Sequence, residues 1–242
     1  MKRRAFVSLC LMTGWLHASG ERERQLERDL ITVVEAGDCK RARKLLSRGA
    51  LLEATNWQRR TPFLAAAASG NPRMLTLLRD AGADTQEVDH LGRAAVHLAA
   101  RAGSTATIRE LFRCDMVRDV DVCDLCAWTA LHHAVECAHE DTVRELIACH
   151  ATIDASSAVG RNPLHLAVRA GRYMIMGQLL CRGATVDCID TDLQTPLHYA
   201  AERGDFAAIR LLLAYGARSD LPDKFSRTAR DIWSCKMADA RA

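Results

Sequence analysis

The sequence has few aromatic residues and no long apolar run. Aromatic side chains make up 5% of the 242 residues. No stretch reaches the roughly 18 uninterrupted apolar positions that a transmembrane helix needs, so we expect no membrane insertion. A low aromatic content is typical of helices that pack through alanine and leucine.

Motifs of enzyme chemistry are also missing. The chain has no G-x-S-x-G nucleophile elbow, no phosphate-binding G-x-x-x-x-G-K and no zinc-binding H-E-x-x-H. We therefore expect a non-catalytic protein with no small-molecule substrate and no cofactor. The formal net charge of +3 is too small to indicate a nucleic-acid partner.

The ten cysteines show no framework of paired spacings. Cys123-x-x-Cys126 has the spacing of a zinc-ligand pair, but no second pair matches it. Three interpretations are open: a zinc site, a redox-active thiol pair, and small apolar side chains without special chemistry. We favour the third and predict no metal site.

A short fragment returns about every 33 residues and dominates the sequence. Its copies are Thr61-Pro62-Phe63-Leu64, Ala94-Ala95-Val96-His97, Thr129-Ala130-Leu131-His132, Asn162-Pro163-Leu164-His165 and Thr195-Pro196-Leu197-His198. A second element keeps step and closes each unit: Gly49-Ala50, Gly82-Ala83, His150-Ala151, Gly183-Ala184 and Gly216-Ala217. Such a period indicates a repeat array, which grows by stacking.

The repeat strongly resembles the ankyrin repeat, a turn and two helices with a T-P-L-H signature. The resemblance covers roughly residues 26–233. It implies an all-α repeat solenoid, in which helix-turn-helix units are joined by β-hairpin fingers. It also implies that the histidines at 97, 132, 165 and 198 bridge neighbouring repeats, whereas Leu64 departs from this pattern.

We divide the chain into an N-terminal segment and a single repeat domain. The segment is 1–20 and the domain is 21–242, with an N-terminal partial repeat at 26–55 and a C-terminal one at 223–242. Full repeats are expected at approximately 56–88, 89–123, 124–155, 156–189 and 190–222. One interval is two residues longer than the others, so the junction at 115–127 should be the least regular.

Two locations are open because of the first twenty residues. Lys2-Arg3-Arg4, the apolar run that follows and the small residues Ala18-Ser19-Gly20 have the order of a secretory signal. The unpaired cysteine spacings, the absence of an Asn-X-Ser/Thr acceptor and the resemblance all favour a cytoplasmic or nuclear protein. Secretion or organelle targeting through residues 1–20 is the alternative.

The resemblance places the partner-binding surface on the finger tips and the exposed face of the first helix of each repeat. Large apolar residues recur at the tips, and they either fold against the neighbouring finger or form one apolar edge. Arginines recur just before the Thr-Pro turn and at the end of the first helix, where they either solvate the fingers or line a basic groove. The candidate partner-binding residues are Trp57, Arg60, His90, Leu91, Arg93, Arg101, Leu125, Trp128, Val159, Arg161 and Arg169.

A basic groove suits a protein partner with an acidic or phosphorylated segment, because guanidinium groups bind such anions through charge-assisted hydrogen bonds. The sequence therefore predicts a monomeric adaptor, scaffold or inhibitor. An exported interaction protein with the same surface is the alternative, and a nucleic-acid-contacting module is a weaker one.

Overall fold

A computed structural model describes residues 29–239, and helices follow one another along this range. Residues 29–35 form α1. The later helices are α2 (Cys39–Leu46), α3 (Pro62–Ala68), α4 (Pro72–Asp80), α5 (Ala95–Arg101), α6 (Thr105–Arg113), α7 (Ala130–Glu136), α8 (Glu140–Ala148), α9 (Pro163–Arg169), α10 (Tyr173–Cys181), α11 (Pro196–Arg203), α12 (Phe206–Ala214) and α13 (Ala229–Asp239). The predicted segment 1–20 lies outside the described residues.

The helices form two layers. In the inner layer α3, α5, α7, α9, α11 and α13 each contact the next, and in the outer layer α2, α4, α6, α8, α10 and α12 do the same. Alanines such as Ala66 and Ala100 are fully buried in the inner helices, which allows close packing. The outer helices add Leu75, Leu111 and Leu146 to the core. The predicted all-α repeat solenoid is confirmed.

The histidines of the repeated fragment tie each repeat to the next. In His132 the Nδ1 atom accepts the backbone N–H of Thr129 at 3.2 Å, so Nε2 carries the proton and donates it to the Arg161 carbonyl at 3.1 Å. The same pair of bonds recurs at His97, His165 and His198. The bridging role implied by the resemblance is therefore confirmed.

The residue two or three positions after the end of each outer helix turns the chain with a positive φ. Gly82 and Gly183 occupy this position at 95° and 89°, while Asp115 and His150 reach it at 53° and 64°. A residue with a Cβ atom is strained in this left-handed region. Asp115, at the start of the longer junction, and His150, one repeat later, are the two such positions without glycine.

The fingers differ from the expected β-hairpins. Within residues 29–239 the extended pairing is limited to one bridge, between Pro222 and Thr228. Each finger is instead a tight turn closed by two backbone bonds, as from the Asp89 N–H to the Arg93 carbonyl and from the Gly92 N–H to the Asp89 carbonyl. The turns are too short to form strands, because the chain enters the next inner helix directly after them.

Candidate protein-interaction surface

Each finger is held by the side chain of its first residue. In the second finger one carboxylate oxygen of Asp89 accepts the N–H groups of Leu91 and Arg93, at 2.9 and 3.1 Å. Asn56, Asp124, Asp190 and Asp223 bond their own turns in the same way. Short polar side chains that bond nearby N–H groups stabilise turns of this kind. The finger backbone is therefore well defined.

Backbone hydrogen bonds also connect one finger to the next. The N–H of His90 donates to the Gln58 carbonyl, and that of Leu125 donates to the Leu91 carbonyl. The series continues from Ala158 to Cys126, from Thr191 to Val159 and from Lys224 to Asp192. The finger tips therefore form one continuous, ordered edge of the solenoid.

Apolar side chains project from this edge, and we call this set of side chains the fingertip row. Their exposed fractions are 85% for Trp57, 43% for Leu91, 74% for Leu125, 45% for Val159 and 69% for Phe225. Leu125 packs partly against Gly92, where a Cβ would lie 3.0 Å from its Cγ. The apolar surface thus remains largely exposed.

The first two arginines before the Thr-Pro turn share one buried carboxylate. Asp89 Oδ2 receives two bonds from Arg93, at 2.9 and 2.7 Å, and lies 3.5 Å from Arg60 Nε. Burial opposes ionisation of Asp89, but the bonds from Arg93 and the turn outweigh it and lower its pKa. Burial and the nearby charge of Arg93 lower the pKa of Arg60.

Arg93 is not available to a partner in the way that the sequence suggested. The residue is only 6% exposed, and its guanidinium donates two hydrogen bonds to Asp89. The correction has a simple cause, since a fully buried carboxylate requires a buried counter-charge. Arg60 stays partly exposed, and Arg101 is exposed with no ion pair among residues 29–239.

Trp128 is half-buried at the base of the third finger. Its ring lies 5.9 Å from that of His132 and 5.2 Å from that of His133. His133 Nε2 bonds Asp124 Oδ2 at 2.9 Å, and burial lowers the pKa of His133 to about 4. One face of Trp128 is therefore used in packing, and the remainder of the ring is open to a partner.

The later arginines are paired within the chain. Arg161 Nε donates to the Tyr199 hydroxyl at 2.7 Å, and that hydroxyl donates to Asp190. Arg169 bonds Glu136 at 3.1 Å. The sequence did not reveal these partners, although tyrosine at 199 among small residues on an inner helix was a signal. His90 is exposed, and its Nδ1 donates to the Gln58 carbonyl.

The thiols do not assemble into a ligand set. Cys123 and Cys126 are exposed, and residues 29–239 hold no group of three metal-binding side chains. All nine cysteines in that range are free. Among the same residues, no helix has the length and hydrophobicity to cross a membrane.

Comparisons with known proteins agree with this architecture. Two models described as ankyrin repeats match residues 115–190 and 179–232. The chain is 34% identical to NF-kappa-B inhibitor delta of Mus musculus over 31% of its own length and 23% of that protein. It is 34% identical to human B-cell lymphoma 3 protein over 48% of its length and 26% of that protein.

The chain thus spans about a quarter of the length of these two relatives. The similarity to a solved structure covers far more of this chain. The crystal structure of the ankyrin repeat domain of Bcl-3, described as a unique member of the IkappaB protein family, is 29% identical with a TM-score of 0.74. The match covers 86% of this chain and 97% of that one. With its stacked helix pairs, linking histidines and joined fingers, the chain belongs to the ankyrin-repeat family.

Proposed function

We propose that the chain is a non-catalytic adaptor or inhibitor that binds a protein partner on its fingers and inner helices. The observation that carries the proposal is the fingertip row. Exposed apolar side chains on a contiguous, ordered edge are typical of interaction sites. Little backbone freedom would be lost on binding, because this edge is already ordered, and this favours affinity.

The charge at the first two fingers favours a partner with an acidic or phosphorylated segment. Arg60 and Arg93 contact a single buried carboxylate, that of Asp89, and the charge of Arg101 is close enough to help lower the pKa of Arg60. This group therefore carries an excess of positive charge beside Trp57 and Leu91. The arginines of the later repeats are paired within the chain and offer less free positive charge to a partner. We therefore place the centre of the site at the first three fingers.

The comparisons support an inhibitor-like or adaptor-like role. One relative is named an inhibitor of NF-kappa-B, and the Bcl-3 structure is described within the IkappaB family. The free cysteines agree with a cytoplasmic or nuclear location, because disulfides are rare in reducing compartments. The alternative is export of the protein through the signal-like segment at residues 1–20.

Affinity capture with matched variants tests this function. Wild-type protein should retain a set of proteins that a Trp57→Ala, Leu125→Ala double variant loses, since both side chains are exposed and removing them leaves the core intact. Leu213→Ala, on the outer helix α12, removes an exposed leucine far from the fingers and is the control. If every captured protein is retained equally by the fingertip variant, the proposal fails.

A further inference from the structure

The outer helix α10 contains no charged residue, whereas every other outer helix contains at least one. The position of Gly177 is held by Arg43, Thr76, Arg109, Arg144 and Arg210 in the other five outer helices. Bonds between polar side chains join the earlier helices, from Thr76 to Glu110 and from Arg109 to Glu145. Within the described part of the chain, no such bond crosses from α8 to α10.

A groove of about 360 Å³ opens between α8 and α10. Ile147, Met174, Gly177 and Cys181 line it, and Tyr173 forms one wall. A Cβ placed on Gly177 would meet nothing within 4 Å, so the missing side chain is what leaves the space open. Met174 is 65% exposed and adds accessible apolar surface to the groove.

Basic side chains flank this apolar floor. Arg144 and Arg182 line the groove, and both are exposed. Arg144 has an exposed pair with Asp141 at 3.0 Å, whereas Arg182 makes no ion pair among residues 29–239. Gln178 adds a buried Oε1 atom that accepts no hydrogen bond from the described residues. The groove therefore combines apolar contact with positive charge and one unmet acceptor.

We propose that this groove is a second docking site, for a short amphipathic helix of a partner protein. Apolar side chains of that helix lie over Gly177 and Met174, and its acidic side chains meet Arg144 and Arg182. Helices with one apolar face dock in grooves of this kind. A second copy of this chain fits poorly, because pairing the same surface would bring arginines together.

The test uses a fluorescein-labelled helical peptide of about 15 residues, built from leucine, alanine and glutamate. A matched peptide carries lysine in place of glutamate. Anisotropy titrations with the full chain should show saturable binding of the acidic peptide, and the lysine peptide should bind at least about tenfold more weakly. If both peptides bind with the same affinity, the proposal of an acidic partner helix is wrong.

Gly177→Leu tests the groove without threatening the fold, because open space surrounds the position and leucine favours a helix more than glycine does. Gly177→Leu should lower the affinity for the acidic peptide about tenfold or more, and Arg182→Glu should do the same. Ala106→Leu on α6 and Arg73→Glu on α4 alter exposed positions of other outer helices and should leave binding unchanged. Thermal unfolding checks that all four variants remain folded.

Three results would overturn the proposal. The acidic peptide does not bind, Gly177→Leu leaves its affinity unchanged, or the control variants lose as much as the groove variants. Phosphatidylserine vesicles form a separate arm of the test. If they bind the chain and the acidic peptide does not, the surface contacts membranes and the proposed helix partner is wrong.

Discussion

At the scale of single residues, Asp89 joins the second finger to the charged groups beside it. Its side chain is fully buried and holds two backbone N–H groups as well as the guanidinium of Arg93. Asp89→Ala should lower the free energy of unfolding by about 3 kcal/mol, because it leaves the buried Arg93 unpaired. Urea unfolding of the variant and the parent measures this loss.

The matched control is Asp192→Ala on a later finger. Asp192 pairs with Lys224 at 3.3 Å, and both side chains are at least half exposed. Such a pair contributes less than about 1 kcal/mol. Equal losses for the two variants would mean that Asp89 is not a special stabilising group.

The buried histidines make stability depend on pH. The pKa of His133 falls from 6.5 to about 4 through burial, and burial also lowers the pKa of His97, His132 and His165. Below pH 6.5 the unfolded chain binds protons that the folded chain refuses, so stability falls as the pH falls toward 4. His133 alone should cost about 2 kcal/mol between roughly pH 7.5 and 5.

Urea unfolding at these two pH values measures the effect. His133→Gln should be less stable at the higher pH and should lose less on acidification, since its side chain does not titrate. A stability that stays constant or rises as the pH is lowered would contradict the burial of these rings.

The sequence predicts some of these residue roles and misses others. The linking histidines could be predicted because they recur at one position of a known repeat. The fate of Arg93 could not, because Asp89 has two arginines within reach and Arg60 is 29 residues away in the chain. Which guanidinium becomes buried depends on distances between two fingers. The spacing of residues within one repeat does not give these distances.

At the scale of the elements, the ends of the outer helices differ in backbone strain. His150 holds a φ of 64° where four other repeats have glycine, and its side chain is exposed. His150→Gly should stabilise the fold by about 0.5–1 kcal/mol, because relief of the left-handed strain exceeds the added freedom of the unfolded chain.

The reverse exchange, Gly183→His, should destabilise the fold by a similar amount, since Gly183 holds a φ of 89°. Thermal melts of the two variants provide the measurement. A destabilised His150→Gly would show that this residue contributes contacts that outweigh its strain.

The helix pairs were predictable from the 33-residue period, because capping residues and apolar spacing recur in every unit. The groove at Gly177 was not predicted. A glycine inside an otherwise apolar helix was its only signal, and the groove exists because α8 and α10 pack side by side. The fingers were predicted in place but not in form, since tight turns closed by two backbone bonds replace the hairpin strands.

At the scale of the whole molecule, the arrangement of charge predicts the association state. The outer face that carries the exposed Tyr173, Met174 and Phe206 also carries Arg144, Arg182 and Arg210. Self-association through it would oppose like charges, so we expect a monomer. Light scattering should give the chain mass of 26.7 kDa at micromolar concentration, and a stable mass twice as large would contradict this.

Hydrogen exchange of the chain, alone and with a captured partner, is the most direct test of the central claim. The claim is that a protein partner lies on the fingers and inner helices of the first three repeats. We predict slower exchange at residues 57–60, 90–93 and 124–128 and in α5, with α4 and α6 unchanged. Protection confined to the outer helices, with none at the fingers, would contradict it.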